Sequence, residues 1–178
     1  MKRIYMIAGK ARHGKDTTGS FIKEYYDAKG MKSINLQISY PLKYYASKVL
    51  DWDFSEETKP REFLQRVGSS IRSKMDERFF TNRLVEDIKV LFEFCDVIII
   101  SDVRMPIEFE EISSNFDDVK KVYINRPNFE TMLSGTEQKH ITETALDNYS
   151  DYDCIIKNDG SLEDLKNKVN ELLEGGVL

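Results

Sequence analysis

The stretch "IYMIAGKARHGKDTT", Ile4 to Thr18, sets five apolar residues directly against a glycine loop that nearly fits G-x-x-x-x-G-K-[ST]. A strand, then such a loop, then a helix turns several backbone N–H groups and the positive helix end toward one point, where a polyphosphate can be held. Gly9 and Gly14 let the backbone come close, and Lys15 reaches the outer phosphates. Lys10, Ala11, Arg12 and His13 complete the loop and concentrate positive charge in an acidic chain. An ordinary strand-to-helix turn is the alternative, but the strand before and the helix after favour the phosphate-holding reading. The misfit is Asp16, which stands where the pattern wants the magnesium-binding hydroxyl. A carboxylate there binds the metal through water or helps cap the helix. Thr17 offers a hydroxyl, though its side chain leaves the helix about 100° further round. The local sequence leaves these alternatives open.

Working outward, short apolar runs that read as buried parallel strands recur at Ile4–Ala8, Ile34–Ile38, Val97–Ile100, Val119–Ile124 and Asp153–Ile156. Helical patterns fill the gaps. One opens at Thr17 and runs to Ala28; Phe80, Leu84, Ile88 and Leu91 put an apolar stripe on another. Leu162, Leu165, Val169, Leu172 and Leu173 form a third stripe, with Ser161 placed as its N-cap. The alternation predicts a three-layer α/β/α domain around a five-stranded parallel sheet, with ligands bound where the strands end. About sixty residues separate the second and third strands, against a dozen or so in an ordinary crossover. The excess predicts a helical insertion over the site, at about 40–95.

The chain has 178 residues, 40% hydrophobic and 32% charged, with nine glycines and four prolines, which is one well-filled domain. A formal net charge of -5 argues against a general grip on polymeric nucleic acid. Cys95 and Cys154 have no metal-like spacing and read as small core residues beside buried strands. No stretch approaches ~20 apolar residues, so no membrane partner is expected and the cytoplasm is the expected compartment.

Three further segments carry candidate chemistry. "VIIISDVR", Val97 to Arg104, ends a buried strand in Asp102, where an acid can serve magnesium, and in Arg104, which can reach a phosphate. "SYPLKYYASKVL", Ser39 to Leu50, sets Lys43 at a helix start, against the macrodipole unless an anion lies close. Arg72 follows Gly68-Ser69-Ser70, small enough to let a ligand approach. Asn125 to Tyr149 holds little apolar periodicity until Ile141 and reads as a lid over about 126–145, with Arg126, Lys139 and His140 as its charged contacts. His140 and Glu143 face alike if helical, so an ion pair between them is favoured over catalysis by the histidine.

In order, "GKARHGKDTT", "PLK", "SDVRMPIEFEEI" and "HITETALDNYSDYDCIIKNDGSLEDL" resemble the phage-type deoxynucleoside monophosphate kinases and the animal-type phosphomevalonate kinases. These share one branch of the nucleoside-monophosphate-kinase-like phosphate-loop proteins, and the resemblance covers nearly the whole chain. It implies that Asp16 is native to the loop, and that Lys15, Asp16, Thr17 and Thr18 contact ATP phosphate and magnesium. It implies acceptor-side roles for Lys43, Arg72 and Arg104, and a place at the lid or adenine edge for Arg126. The expected activity is transfer of the γ-phosphoryl of ATP, with Mg2+, to a nucleoside or deoxynucleoside monophosphate. Lys15, Arg104 and Asp102 would be catalytic, Asp16 and Thr17 metal-binding, and His140 acceptor-binding, in a monomer or homodimer. Phosphomevalonate is the runner-up acceptor. A nucleotide-binding regulatory module is the alternative of another class, but its guanine-reading N-K-x-D motif is absent: Asn167-Lys168 runs into Val169-Asn170.

Overall fold

A computed structural model describes residues 2–127, 129–130 and 133–178. In chain order the elements are β1 (Arg3–Ala8), α1 (Lys15–Ala28), β2 (Ser33–Leu36), α2 (Tyr40–Leu50), α3 (Arg61–Lys74), α4 (Phe79–Leu91) and β3 (Val97–Val103). There follow α5 (Pro106–Asn115), β4 (Val119–Asn125), α6 (Gly135–Gln138), α7 (Ile141–Thr144), β5 (Cys154–Lys157) and α8 (Leu162–Glu174). The strands form one five-stranded parallel sheet in the order β2-β3-β1-β4-β5. Thus β1 is central, and the loop that follows it opens at the carboxyl edge, between the ends of β3 and β4.

The period of two in β1 explains the layering. Ile4, Met6 and Ala8 pack with Phe80, Leu84 and Ile88 of α4 and with Phe109 and Ile112 of α5. Tyr5 and Ile7 point the other way, onto Phe21 and Ile22 of α1 and Leu165, Val169 and Leu173 of α8. Each fully buried aliphatic side chain here contributes about 1.5–3 kcal/mol relative to exposure, so the central strands anchor both faces.

Several expectations shift. Helix α1 opens at Lys15 rather than Thr17. β3 continues past Ile100 to Val103, which keeps Ser101 and Asp102 within the strand. β2 ends at Leu36 because the Ile38 amide donates to the Asp102 carboxylate (2.8 Å) instead of to a neighbouring strand. β5 runs one residue later than expected, and as edge strands β2 and β5 are only partly buried. Cys95 is buried, whereas Cys154 on β5 is half-exposed. Within 40–95 only α2 and α3 stand over the sheet's edge as an insertion. Helix α4 is a crossover helix packed on the core, since its stripe of Phe80, Leu84 and Ile88 is buried. Three residues of the expected lid, Asn128, Thr131 and Met132, lie outside the described residues; α6 and α7 are the helices formed there. Among the described residues no helix is long and apolar enough to cross a membrane.

Candidate active site

The loop is built by backbone geometry that two glycines permit. Gly9 has φ +147°, and a Cβ on it would lie 2.5 Å from the Ile124 carbonyl oxygen. Gly14 has φ +105° and caps α1, with the Asn158 amide 2.8 Å from where its Cβ would be. That amide donates to the His13 carbonyl (2.9 Å), tying the loop to the end of β5. Lys15 begins α1 and is 7% exposed. Its ammonium turns back to donate to the carbonyls of Gly9 (2.9 Å) and Lys10 (2.8 Å). Burial, and then the nearby positive charge of Arg104, pull its pKa down to about 7. A polyphosphate on the loop would supply the anion that restores the charge.

Asp16 lies in the first turn of α1, exposed toward the cleft, and accepts from the Ser101 hydroxyl on β3 (2.6 Å). Thr17 is half-buried beside it. Thr18 faces the core with 0% exposure, and its hydroxyl has no hydrogen-bond partner among the described residues. The expected phosphate contact of Thr18 is therefore corrected: its side chain is turned away from the loop's open side, because α1 packs that face on the sheet.

A cleft of about 550 Å3 runs from this loop to the insertion, within the size range of nucleotide sites. On its far side Asp102 accepts from the amides of Ile38 (2.8 Å) and Ser39 (3.0 Å) and from the Ser39 hydroxyl (2.6 Å). Both its oxygens thereby anchor the turn that starts α2, while the carboxylate also lines the cleft. One turn on, Lys43 donates to Gln37 (2.6 Å), and burial lowers its pKa. Arg72 of α3 reaches into the same cleft over the Phe80 ring, 5.0 Å from its centre.

Sequence reasoning missed Glu108. It is 3% exposed and accepts from the backbone amides of Arg104 (2.7 Å) and Met105 (3.0 Å), closing the start of α5. Arg72 approaches it at 3.5 Å. Burial raises its pKa to about 7, against the pull of those partners. Its position three residues after an N-cap, in "MPIE", is the signal that was available.

The expected His140–Glu143 pair is not formed. His140 caps α7, meets the Ser69 hydroxyl at 3.2 Å, and has its pKa lowered by burial and then by Arg72. Glu143 instead bonds Arg104 (2.6 Å) and the Ala11 amide (3.3 Å). On the other rim of the loop, His13 accepts from the Arg126 amide (3.1 Å), and the Arg126 guanidinium lies 4.7 Å from the centre of the Phe129 ring. Thus Lys15, Asp16, Lys43, Arg72, Arg104 and His140 share one cleft, which Arg126 does not line. Lys139 is exposed and does not line it. The described residues contain no group of three or more His, Cys, Asp or Glu able to hold a metal.

A family model described as deoxynucleotide monophosphate kinase matches residues 43–169. Comparison with curated proteins gives no match. Solved structures share the fold at low identity. A sugar kinase from Janibacter is similar with a TM-score of 0.59 and 12% identity, over 98% of this chain and 95% of that one. The Mycobacterium tuberculosis APS kinase in complex with AMPPNP and APS gives 0.55 and 14%, over 97% and 98%. Shikimate kinase from Aquifex aeolicus gives 0.52 and 20%, over 98% and 97%.

Proposed function

The chain belongs to the deoxynucleotide monophosphate kinase family, and from that premise we propose that it transfers the γ-phosphoryl group of ATP, with Mg2+, to a deoxynucleoside monophosphate. That it is a kinase-type phosphotransferase follows from family and fold together. The observation that carries the finer reading is the two-walled cleft: Lys15 and the loop amides on one side, Lys43, Arg72 and Arg104 on the other. The family match begins at Lys43 and leaves out the loop, so the loop geometry supports the reading independently.

In this proposal the loop amides and Lys15 hold the outer phosphates of the donor, and Arg72 and Lys43 hold the acceptor's phosphate. Arg104, on the same facing wall, neutralises the group in transit. Asp102 acts as a positioning residue, because it fixes the turn that presents Lys43. A magnesium ion fits the oxygen-only donor set at the start of α1: Asp16, held by Ser101 and exposed to the cleft, with Thr17 beside it. When bound, that ion spreads the phosphates' negative charge. No general base is required of the chain, because the attacking phosphate oxygen is already ionised near neutral pH. With donor and acceptor both bound, residues 133–145 would close over the cleft and keep water from the γ-phosphoryl. The cytoplasm is the proposed place of work.

The test is a panel of deoxynucleoside and nucleoside monophosphates and phosphomevalonate, each offered with ATP and Mg2+, read by ADP release. Acceleration by one or more deoxynucleoside monophosphates is expected. Acceleration by phosphomevalonate alone would move the acceptor, and slow release that no acceptor accelerates would overturn the proposal in favour of a regulatory nucleotide-binding role.

A further inference from the structure

Glu143 is the one carboxylate among the described residues that bonds the loop's backbone from another element. Its side chain is 10% exposed. Oε1 accepts from Arg104 Nη1 (2.6 Å), and Oε2 accepts from the Ala11 amide inside the loop (3.3 Å). The Lys10 ammonium grips the same segment from the loop, bonding the Glu143 carbonyl and the Asp147 carboxylate. An amide of the phosphate loop and an arginine of the cleft are what an oxygen of a nucleotide's phosphate would use.

We infer that the Glu143 carboxylate is an internal stand-in for a nucleotide phosphate, which the arriving polyphosphate must evict from Ala11 and Arg104 before the cleft can work. The inference rests on the phosphate-loop reading above. Two anions so close repel strongly in a half-buried site, so carboxylate and phosphate exclude one another. Before eviction Glu143 compensates the charge of Arg104 and shields the loop. After it, Arg104 is released to the group in transit. Because α7 also brings His140 and Thr142 to the cleft, eviction by the donor rearranges the acceptor side. The apparent affinity for the donor is the intrinsic affinity multiplied by the fraction of molecules in which the seat is free of Glu143.

The experiment is calorimetric titration of the parent, Glu143→Gln and Glu143→Asp with inorganic triphosphate and, separately, with a non-hydrolysable ATP analogue and Mg2+. Glu143→Gln should bind triphosphate about ten-fold more tightly or better. Glu143→Asp, which keeps the charge, should remain within about three-fold of the parent. Unchanged or weaker binding by Glu143→Gln, with the parent binding normally, overturns the inference and leaves the proposed reaction standing. A parent that binds neither ligand overturns both. Should Glu143→Gln fail to fold, hydrogen exchange on the parent decides: amides of 141–147 should exchange faster once inorganic triphosphate is added, and unchanged or slower exchange contradicts eviction.

Discussion

The two walls of the cleft are made differently. The loop wall is backbone: Gly9 and Gly14 set its shape, α1 directs its amides, and one contiguous decapeptide supplies it, tethered from outside by Asn158, Ser101 and Glu143. The facing wall is side chain: Lys43, Arg72, Arg104 and His140 come from α2, α3, the β3–α5 turn and the start of α7. Arg72, Arg104 and His140 are held by partners distant in sequence, and Lys43 by Gln37 six residues before it. On the proposed reading, a backbone wall would bind one kind of group, phosphate, and tolerate little change. A side-chain wall is adjustable residue by residue, which suits it to choosing the acceptor.

That contrast predicts a graded response to mutation. Lys15→Ala should lower kcat by about 10³-fold, the scale expected when a donor aimed at developing charge is lost. The melting temperature should hold or rise, because a costly buried amine is removed; near-parental turnover would mean that the loop wall is not catalytic. Arg104→Ala should cost about 10²-fold in kcat with little change in the KM for ATP. Arg72→Ala should act mainly on the acceptor's KM, by about ten-fold. Equal effects of these two arginines on both substrates would erase the division of labour within the facing wall. Gly9→Ala should cost about 1–3 kcal/mol of stability, since φ +147° and the Ile124 carbonyl leave no room for a Cβ. Chemical denaturation reads it directly.

Lys15 and Glu108 should also respond to pH, with opposite sign. Lys15 titrates near 7 when folded and near ~10.4 when unfolded. The unfolded chain therefore holds the extra proton in that window, and this group makes the protein more stable as pH rises from about 7 toward 10. Glu108 titrates near 7 when folded and near ~4.3 when unfolded. Its stabilising contribution is complete below the lower value and is lost as pH rises through 7. Urea midpoints of Lys15→Met and Glu108→Gln, compared with the parent at pH 5 and pH 9, should separate the two slopes. Lys15→Met should show the larger gain over the parent at low pH, and Glu108→Gln the larger gain at high pH.

The same contrast explains what was legible in the sequence. The loop could be read because its parts are adjacent, and β1 and β3 because apolar runs of four or five residues have few other uses. β2 and β5 were misplaced by one or two residues because edge strands carry mixed faces. The stripe on α4 announced burial but not the surface it would cover, so the helix was assigned to the insertion. Asp16 meets Ser101 across 85 residues, and Glu143 meets Ala11 across 132. No local pattern encodes such partners. His140 and Glu143 have the spacing of a pair, yet α7 is a single turn and the stronger cation, Arg104, takes the carboxylate.

If the two walls hold two phosphate esters in one cleft, a compound joining adenosine to a deoxynucleoside through five phosphates should engage both at once. Its dissociation constant, measured by calorimetry with Mg2+, should be at least about 10²-fold below that of ATP alone. Arg72→Ala should lose most of that gain while keeping its affinity for ATP. A bridged compound that binds the parent no more tightly than ATP would contradict the two-walled site.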